Sequence, residues 1–200
     1  NSKIRNNKEI KPFNANFNGY LGSGYGDFSL LDFNFSLLSL VAPIPSAIDG
    51  YFGLKGKYSL VNGSPKVTTE LVIEDTKIYN RNIFLDNGNI SIQDNYLELD
   101  LALRDESSEN PVELSGIYPL ANSLPIDLKV ESHGDGLAFL TGLTKGSLSW
   151  LSGTADLSLL FRGTPANPTA NGFLVLKDND LLFQGKEINN LNSTIVFDFN

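Results

Sequence analysis

The sequence predicts an all-β protein: an elongated, curled antiparallel sheet that forms an open trough with an apolar interior and carries one short helix. Three observations predict this fold. Apolar and polar residues alternate along most of the 200-residue chain, turn-forming residues separate the alternating runs, and one short stretch has helical spacing. Because the links between runs are short, antiparallel pairing in chain order is the simplest topology.

Alternation is clearest in five runs, each with one apolar and one polar face, as expected of a half-buried strand. In chain order they are GKYSLV (56–61), KVTTELVIED (66–75), LELDLALR (97–104), PIDLKVES (125–132) and ADLSLLF (155–161). Turn signals lie at 62–65 (NGSP), 86–89 (DNGN) and 178–180 (DND). The spacing predicts about a dozen strands.

Two segments do not alternate. Ile44–Gly50 contains a proline and is predicted to be an irregular link. In DGLAFLTGL (135–143) the leucines recur at helical spacing, which predicts a short helix with Asp135 as its N-cap. Gly142 and Gly146 should limit this helix to about two turns.

Charge and composition exclude several classes of function. The 23 acidic residues outnumber the 15 basic ones, giving a net charge of −8, which argues against nucleic acid as a partner. With no cysteine and one histidine, thiolate and multi-histidine metal sites are excluded. His133 beside Asp135 is the single acid–base candidate, and an exposed turn histidine is the favoured interpretation. We therefore predict no enzymatic activity, no cofactor and no metal.

Other polar motifs are predicted to be structural. The acidic stretches 104–109 (RDESSE) and 177–180 (KDND) lack the spacing of a calcium loop and are predicted to be solvated hairpin tips. The glycine-rich stretch 19–28 is followed by neither a lysine nor a helix, so it is predicted to be a turn or bulge rather than a phosphate-binding loop.

The chain is predicted to be a single β-rich segment, residues 1–200, of a longer protein, because alternation continues to its last residues. A division into two blocks of about 100 residues, roughly 1–109 and 110–200, is an alternative. LVIEDTKIYN (71–80) resembles LVLKDNDLLF (174–183), and NISIQDN (89–95) resembles TIVFDFN (194–200). Chance similarity between alternating strands is the competing explanation.

A sheet with one apolar face must cover that face, and the chain has almost no helix to do so. An open apolar trough suits extended apolar cargo, namely acyl chains or an added client β-strand. The residues predicted to line this groove are Leu97, Leu99, Leu101, Leu103, Ile126, Leu128, Val130, Leu157, Leu159, Phe161, Leu174, Leu176, Ile195 and Phe197.

The second half of the chain, from Asn110 onward, resembles the C-terminal β-rich region of the TamB family, the translocation and assembly module. The resemblance lies in NPVELSGIYPL (110–120), DGLAFLTGL (135–143) and the stretch 153–183. The matching positions are Gly116, Pro119, Leu120, Gly153, Leu157, Leu159, Gly163, Thr164, Pro168, Gly172, Leu174 and Leu176. The helical piece departs from the family pattern at Gly142, and no catalytic residue belongs to these motifs.

The resemblance implies a β-taco rod that spans the cell envelope of diderm bacteria or, in a homologue, the chloroplast envelope. Such proteins are anchored in the inner membrane, reach through the periplasm and meet an Omp85-class outer-membrane protein. They are similar to AsmA-like and other bridge-type lipid-transfer proteins. The implied function is outer-membrane protein assembly and secretion and phospholipid transport through a hydrophobic groove.

Two other functions are compatible with the alternation. A surface adhesin or passenger built as a parallel β-solenoid would have coils of about 20–25 residues, and no such repeat is visible. A β-sandwich ligand-binding module would need exposed aromatic platforms, for which Tyr20, Tyr25 and Trp150 are the candidates.

Overall fold

A computed structural model describes residues 12–20, 24–38, 48–61, 63–144 and 146–199. The described residues form one antiparallel sheet of eleven strands, in which every strand pairs with its neighbours in the chain. The first and last strands are not paired with each other, so the sheet is open. The predicted all-β class and antiparallel topology are confirmed.

The elements of this sheet are long strands joined by short turns. They are β1 (Asn14–Tyr20), β2 (Tyr25–Asn34), α1 (Phe35–Leu38), β3 (Ile48–Val61), β4 (Ser64–Ile78), β5 (Arg81–Gln93), β6 (Tyr96–Asp105), β7 (Val112–Pro119), β8 (Asp127–Ser132), α2 (Leu137–Gly142), β9 (Leu148–Thr164), β10 (Asn167–Phe183) and β11 (Lys186–Phe199).

The fold differs from both alternative architectures. A parallel solenoid requires parallel pairing between coils, whereas every strand pair among the described residues is antiparallel. A sandwich requires two packed sheets, whereas the described strands belong to one sheet.

The short helix is present as α2, but its predicted N-cap is wrong. The N-cap is Gly136, which has no side-chain cap hydrogen bond. The Asp135 carboxylate instead accepts hydrogen bonds from the backbone N–H groups of Glu109 and Asn110, both at 2.9 Å. It therefore ties the start of α2 to the β6–β7 loop. The single turn α1 had no counterpart in the predicted elements.

Two of the three predicted turns are wrong. Residues 86–89 lie inside β5, and residues 178–180 lie inside β10, where register shifts mark bulges. Asp178 has a φ of 51°, which aspartate tolerates better than most residues and which suits a bulge as well as a turn. The turn at 62–65 is confirmed, because β3 ends at Val61 and β4 begins at Ser64.

The predicted link Ile44–Gly50 is partly wrong, because β3 already begins at Ile48. The rest of that link, residues 44–47, lies outside the described residues. Of the glycine-rich stretch 19–28, the described ends belong to β1 and β2, and Tyr20 pairs with Tyr25. Residues 21–23 lie outside the described residues.

Cross-strand pairing divides the sheet into two faces. Leu99 pairs with Ile90 on one side and Gly116 on the other, and Leu159 pairs with both Val130 and Gly172. Because directly paired residues point to the same side of a sheet, these positions define one surface, called here the apolar face. The opposite surface, the polar face, carries most of the charged side chains.

Two glycines of the apolar face lie where neighbouring strands approach each other closely. A Cβ added to Gly116, whose φ is +117°, would collide with the carbonyl oxygen of Asp127 on β8. A Cβ added to Gly172 would collide with the carbonyl oxygen of Ser158 on β9. Such close approach of neighbouring backbones leaves no room for a side chain, so glycine is required at both positions.

Helix α2 covers one end of the apolar face. Phe139 packs with Ile83 of β5 and Val112 of β7, and all three side chains are buried. Leu103 and Val130 pack against the same cluster. We call this the covered end of the apolar face.

An ion pair fixes the helix in this position. Arg81 lies 2.7 Å from the Asp105 carboxylate, which is 1% exposed, and also donates to Ser107 and to the Ala138 carbonyl of α2. A side chain at Gly142 would collide with the Arg81 guanidinium. The prediction of a solvated tip at 104–109 is therefore wrong for Asp105, and the prediction for 177–180 is wrong because Asn179 is fully buried.

The hairpins β3–β4 and β9–β10 contain the same bulge at positions 103 residues apart. Gly50 and Gly153 have φ values of +121° and +109°. Asp75 and Asp178, on the partner strands, have φ values of 48° and 51°. In each hairpin a Cβ on the glycine would strike the partner backbone at the aspartate.

The residue after each aspartate is buried and bonds back to the first strand in the same way. The Thr76 hydroxyl donates to the Tyr51 carbonyl at 3.2 Å, and the Asn179 amide donates to the Thr154 carbonyl at 2.9 Å. The two bulges are therefore equivalent structures. The division of the chain into two blocks stays a prediction.

Candidate functional site: the apolar face

The register brings thirteen of the fourteen predicted groove residues onto the apolar face. Leu101, Val130, Leu159 and Phe197 belong to one row across the sheet, linked by cross-strand pairs through Leu114 and Gly172. The adjacent rows contain the remaining residues of the thirteen: Leu97, Leu99, Leu103, Leu128, Leu157, Phe161, Leu174, Leu176 and Ile195.

The fourteenth residue, Ile126, lies one position before β8. It is buried, and its backbone N–H donates to the Gly163 carbonyl of β9 at 2.8 Å. Ile126 therefore continues the pairing of β8 with β9 two positions beyond Leu128 and Phe161.

Most of the apolar face is half-buried and has no second layer over it among the described residues. Leu97, Leu99, Leu128 and Phe161 are half-buried, and Tyr118 is 38% exposed. We call these five residues the open end of the apolar face. Near α2, by contrast, Leu157 and Leu176 are 5% exposed. The face is thus closed at one end and accessible at the other.

The N-terminal strands extend the same face, and the sequence-based list did not include them. Phe28, Leu30, Leu54, Ile90 and Ile92 are joined to the predicted residues by the cross-strand register of β2 to β6. The alternation of these residues is visible in part in the sequence, whereas the family resemblance covers only the second half of the chain.

Aromatic side chains cluster on β2 and β3. The Phe33 and Phe52 rings lie 5.7 Å apart, Phe13 lies 5.1 Å from Phe33, and Phe35 lies 5.1 Å from Phe52. These tilted contacts are ordinary aromatic packing. They help to stabilise the pairing of β2 with β3, next to the edge strand β1.

The polar face is charged and solvated. Arg104 lies 2.8 Å from Asp86, and Lys129 lies 2.7 Å from Glu131. These pairs are exposed enough that each contributes little to stability, about 1 kcal/mol or less. Their position shows which face meets water.

His133 is exposed, and it contacts Asp156 rather than Asp135. Its Nδ1 lies 3.0 Å from the Asp156 carboxylate, and Lys177 lies 3.7 Å from the other oxygen. The hydrogen bond from His133, together with the charge of Lys177, holds the pKa of Asp156 below its usual value. Asp156 lies on the polar face, so this cluster is remote from the candidate groove.

The described residues contain no group of three histidine, aspartate or glutamate side chains placed to hold a metal ion. Within the same residues, no helix is long and apolar enough to cross a membrane.

Comparison with known proteins identifies no relative. The chain matches no protein-family model, no curated protein and no solved structure. The TamB resemblance therefore rests on the quoted motifs.

Proposed function

We propose that this chain is a segment of a TamB-like envelope protein and that its apolar face shields phospholipid acyl chains from water. The observation that carries the proposal is a continuous apolar face across eleven strands, half-exposed over most of its area and covered by α2 at one end. A contiguous apolar surface of this kind, when it is exposed to water, is a binding site or an aggregation hazard.

The dimensions of the face suit acyl chains. From Leu97 to Leu103 the strand advances about 20 Å, at roughly 3.3 Å per residue. An acyl chain spans half of a bilayer's hydrocarbon core, or about 15 Å. Eleven strands at about 4.8 Å spacing extend the face about 48 Å across the sheet. Several chains could therefore lie side by side.

The proposed mechanism involves no bond-making chemistry. Each methylene removed from water contributes about 0.8 kcal/mol when fully buried. The open end, at Tyr118 and Phe161, offers the uncovered entry, and Phe139 of α2 blocks the other end. Lipid movement would then be lateral, from strand to strand across the sheet.

The cellular setting is proposed from the resemblance alone. In this proposal the segment lies in the periplasm or an equivalent envelope space. Its parent chain is anchored in the inner membrane and contacts an Omp85-class partner. Support for outer-membrane protein assembly and secretion belongs to the same proposal. A client β-strand, with alternating apolar residues, is the alternative occupant of the groove.

Adjacent leucines on opposite faces provide a matched test. Leu159 lies on the apolar face and Leu160 on the polar face, and both are half-buried. Leu159→Asp should reduce co-purifying phospholipid at least about tenfold, because it places a carboxylate among acyl chains. Leu160→Asp should leave the lipid content unchanged. Native mass spectrometry followed by lipid extraction measures both, and Leu101→Asp should repeat the Leu159→Asp result.

Equal loss in the Leu159 and Leu160 variants would contradict the groove. A lipid-free wild-type protein that captures a labelled strand peptide, in a manner sensitive to Leu159→Asp, would favour the client strand instead.

A further inference from the structure

A hollow of about 500 Å³ lies on the polar face over the four neighbouring strands β3 to β6. A row of side chains crosses this hollow, each paired with the next on the adjoining strand: Lys55, Glu70, Asn89 and Asp100. The row is about 14 Å long, because three strand spacings of about 4.8 Å separate β3 from β6. We call this surface the polar hollow.

A second row crosses the polar hollow two residues away along each strand. It consists of Lys57, Thr68, Ser91 and Glu98, again paired in turn from β3 to β6. Residues two apart on a strand point to the same side of the sheet, so both rows lie on the polar face. The register thus arranges the polar side chains of the hollow as a regular array.

The backbone beneath this array is occupied by the sheet itself. Cross-strand pairs are consecutive from Lys55 with Glu70 to Lys57 with Thr68, and they stay consecutive through β5 and β6. An added peptide strand pairs with free backbone groups at a sheet edge, whereas the polar hollow lies in the interior of the sheet. An occupant of the hollow therefore meets side chains.

Charged side chains of the array are available to a ligand. Lys55 and Glu70 are direct cross-strand partners of opposite charge, yet among the described residues neither takes part in an ion pair. Both are exposed, as is Asp100 at the other end of the row. Within the array, the Ser91 hydroxyl donates to the Glu98 carboxylate at 2.9 Å, which orients that carboxylate.

The array presents hydrogen-bond donors and acceptors side by side. Lysine ammonium groups only donate, carboxylates only accept, and the side chains of Thr68 and Asn89 do both. A ligand that satisfies this mixture needs closely spaced groups that can donate and accept at once. A hydroxyl group has this property, and a sugar ring carries several of them.

An exposed tyrosine borders the continuation of the hollow. A second hollow of about 350 Å³ adjoins the first, since Lys57 and Thr68 line both. Tyr25 lines the second hollow and is 59% exposed. Because Tyr25 pairs with Ser59, two positions from Lys57 on β3, it lies on the polar face. Its ring offers an apolar surface for the C–H face of a sugar, with a polar tip beside it.

The charges and the size of the two hollows favour a small neutral ligand. Three lysines face four carboxylates, so the charges nearly cancel and select neither a strong anion nor a strong cation. These side chains are Lys55, Lys57, Lys66, Asp27, Glu70, Glu98 and Asp100. The volumes lie within the range of small-molecule sites, roughly 300–1,000 Å³.

We propose that the two adjoining hollows over β2 to β6 bind a short neutral oligosaccharide. Tyr25 stacks on one sugar ring, and the rows that begin at Lys55 and Lys57 exchange hydrogen bonds with the hydroxyl groups of the next. The site lies on the face opposite to the acyl-chain groove and needs no lipid. It therefore stands or falls independently of the groove.

A printed array of neutral di- to tetrasaccharides tests the proposal, followed by calorimetric titration of the strongest binder. Tyr25→Ala should weaken that binding at least about fivefold, because the stacking ring is lost. Phe173→Ala removes an exposed ring from the polar face of β10 and should change the affinity less than twofold. All these side chains are exposed, so both variants should fold.

A pair of double variants tests the hydrogen-bonding array. Glu70→Ala, Asp100→Ala should weaken binding about tenfold or more, since both acceptors are charged. Glu113→Ala, Asp198→Ala removes two exposed carboxylates from other polar-face positions and should leave the affinity within twofold.

Three results would overturn the proposal. The first is no binding to any saccharide on the array. The second is equal weakening in the hollow variants and their controls, which would place the saccharide elsewhere. The third is an affinity that falls more than about threefold between roughly 50 and 500 mM NaCl, because binding of a neutral ligand is not screened by salt.

Discussion

The covered and open ends of the apolar face are built from the same residue types on the same strands, yet they differ in what lies over them. Leu103 and Leu97 are both on β6, but Leu103 packs beneath α2 while Leu97 faces the uncovered part. Phe139 makes the covered end a small core with Ile83 and Val112. The comparison shows that one short helix separates the part of the face that stabilises the fold from the part available for binding.

The largest expected difference in stability is between two variants, each with one phenylalanine truncated to alanine, one at the covered end and one at the open end of the apolar face. Phe139→Ala removes a buried ring and should lower the free energy of unfolding by about 3–5 kcal/mol. Phe161→Ala removes a half-buried ring at the open end and should cost roughly 1 kcal/mol. Urea unfolding of both variants measures the difference. Similar losses of unfolding free energy in the two variants would mean that the side chains at the open end are packed as in a core.

The second-largest loss of stability is expected from breaking the ion pair that holds α2 against the sheet. Asp105→Asn leaves the Arg81 guanidinium without its ion-pair partner and should cost about 3 kcal/mol, at the low end for a buried pair because Arg81 is 28% exposed. Asp86→Asn breaks the more exposed pair with Arg104 and should cost below about 1 kcal/mol. Urea unfolding measures both. If the two variants are equally stable, the Arg81–Asp105 pair does not hold the covered end together.

The smallest effect concerns the tie between α2 and the β6–β7 loop. Burial raises the pKa of Asp135, but the N–H donors of Glu109 and Asn110 outweigh it and hold that pKa below its usual value. A lowered folded-state pKa stabilises the protein above the unfolded value of about 3.9 and loses that contribution as pH falls through the folded value. Asp135→Asn should therefore be less stable than wild type at pH 7, by below about 1 kcal/mol.

The gap between wild type and Asp135→Asn should close as the pH falls below about 4. Hydrogen exchange at pH 7 should be faster in the α2 amides of the variant and unchanged in β10. A stability gap that stays constant down to pH 2 would mean that the Asp135 charge does not contribute to the tie.

The faces of the sheet could be predicted from the sequence, because alternation is a local property of each strand. The positions of Leu97, Leu101 and Leu159 on one surface follow from it directly. The bulges could not be predicted. Residues 86–89 and 178–180 have the composition of turns, and whether aspartate, asparagine and glycine reverse a chain or bend it depends on the strands alongside.

The ion pair that holds α2 in place could not be predicted from the sequence either. Arg81 and Asp105 are far apart in the chain, and Asp105 belongs to a stretch whose composition is typical of solvated tips. One local signal did exist for the bulges. The similarity of 71–80 to 174–183 aligns Asp75 with Asp178, the two residues that carry the positive φ. Internal comparison of the chain with itself therefore points to equivalent bulges.

Site-specific photocrosslinking tests the central claim most directly. A photoreactive phenylalanine analogue replaces Leu128 at the open end or, on the polar face of the same strand, the neighbouring Lys129. After irradiation in bacterial cells, mass spectrometry should find a phospholipid adduct at position 128 and none at position 129. Adducts at both positions, or at neither, would contradict a lipid-shielding apolar face.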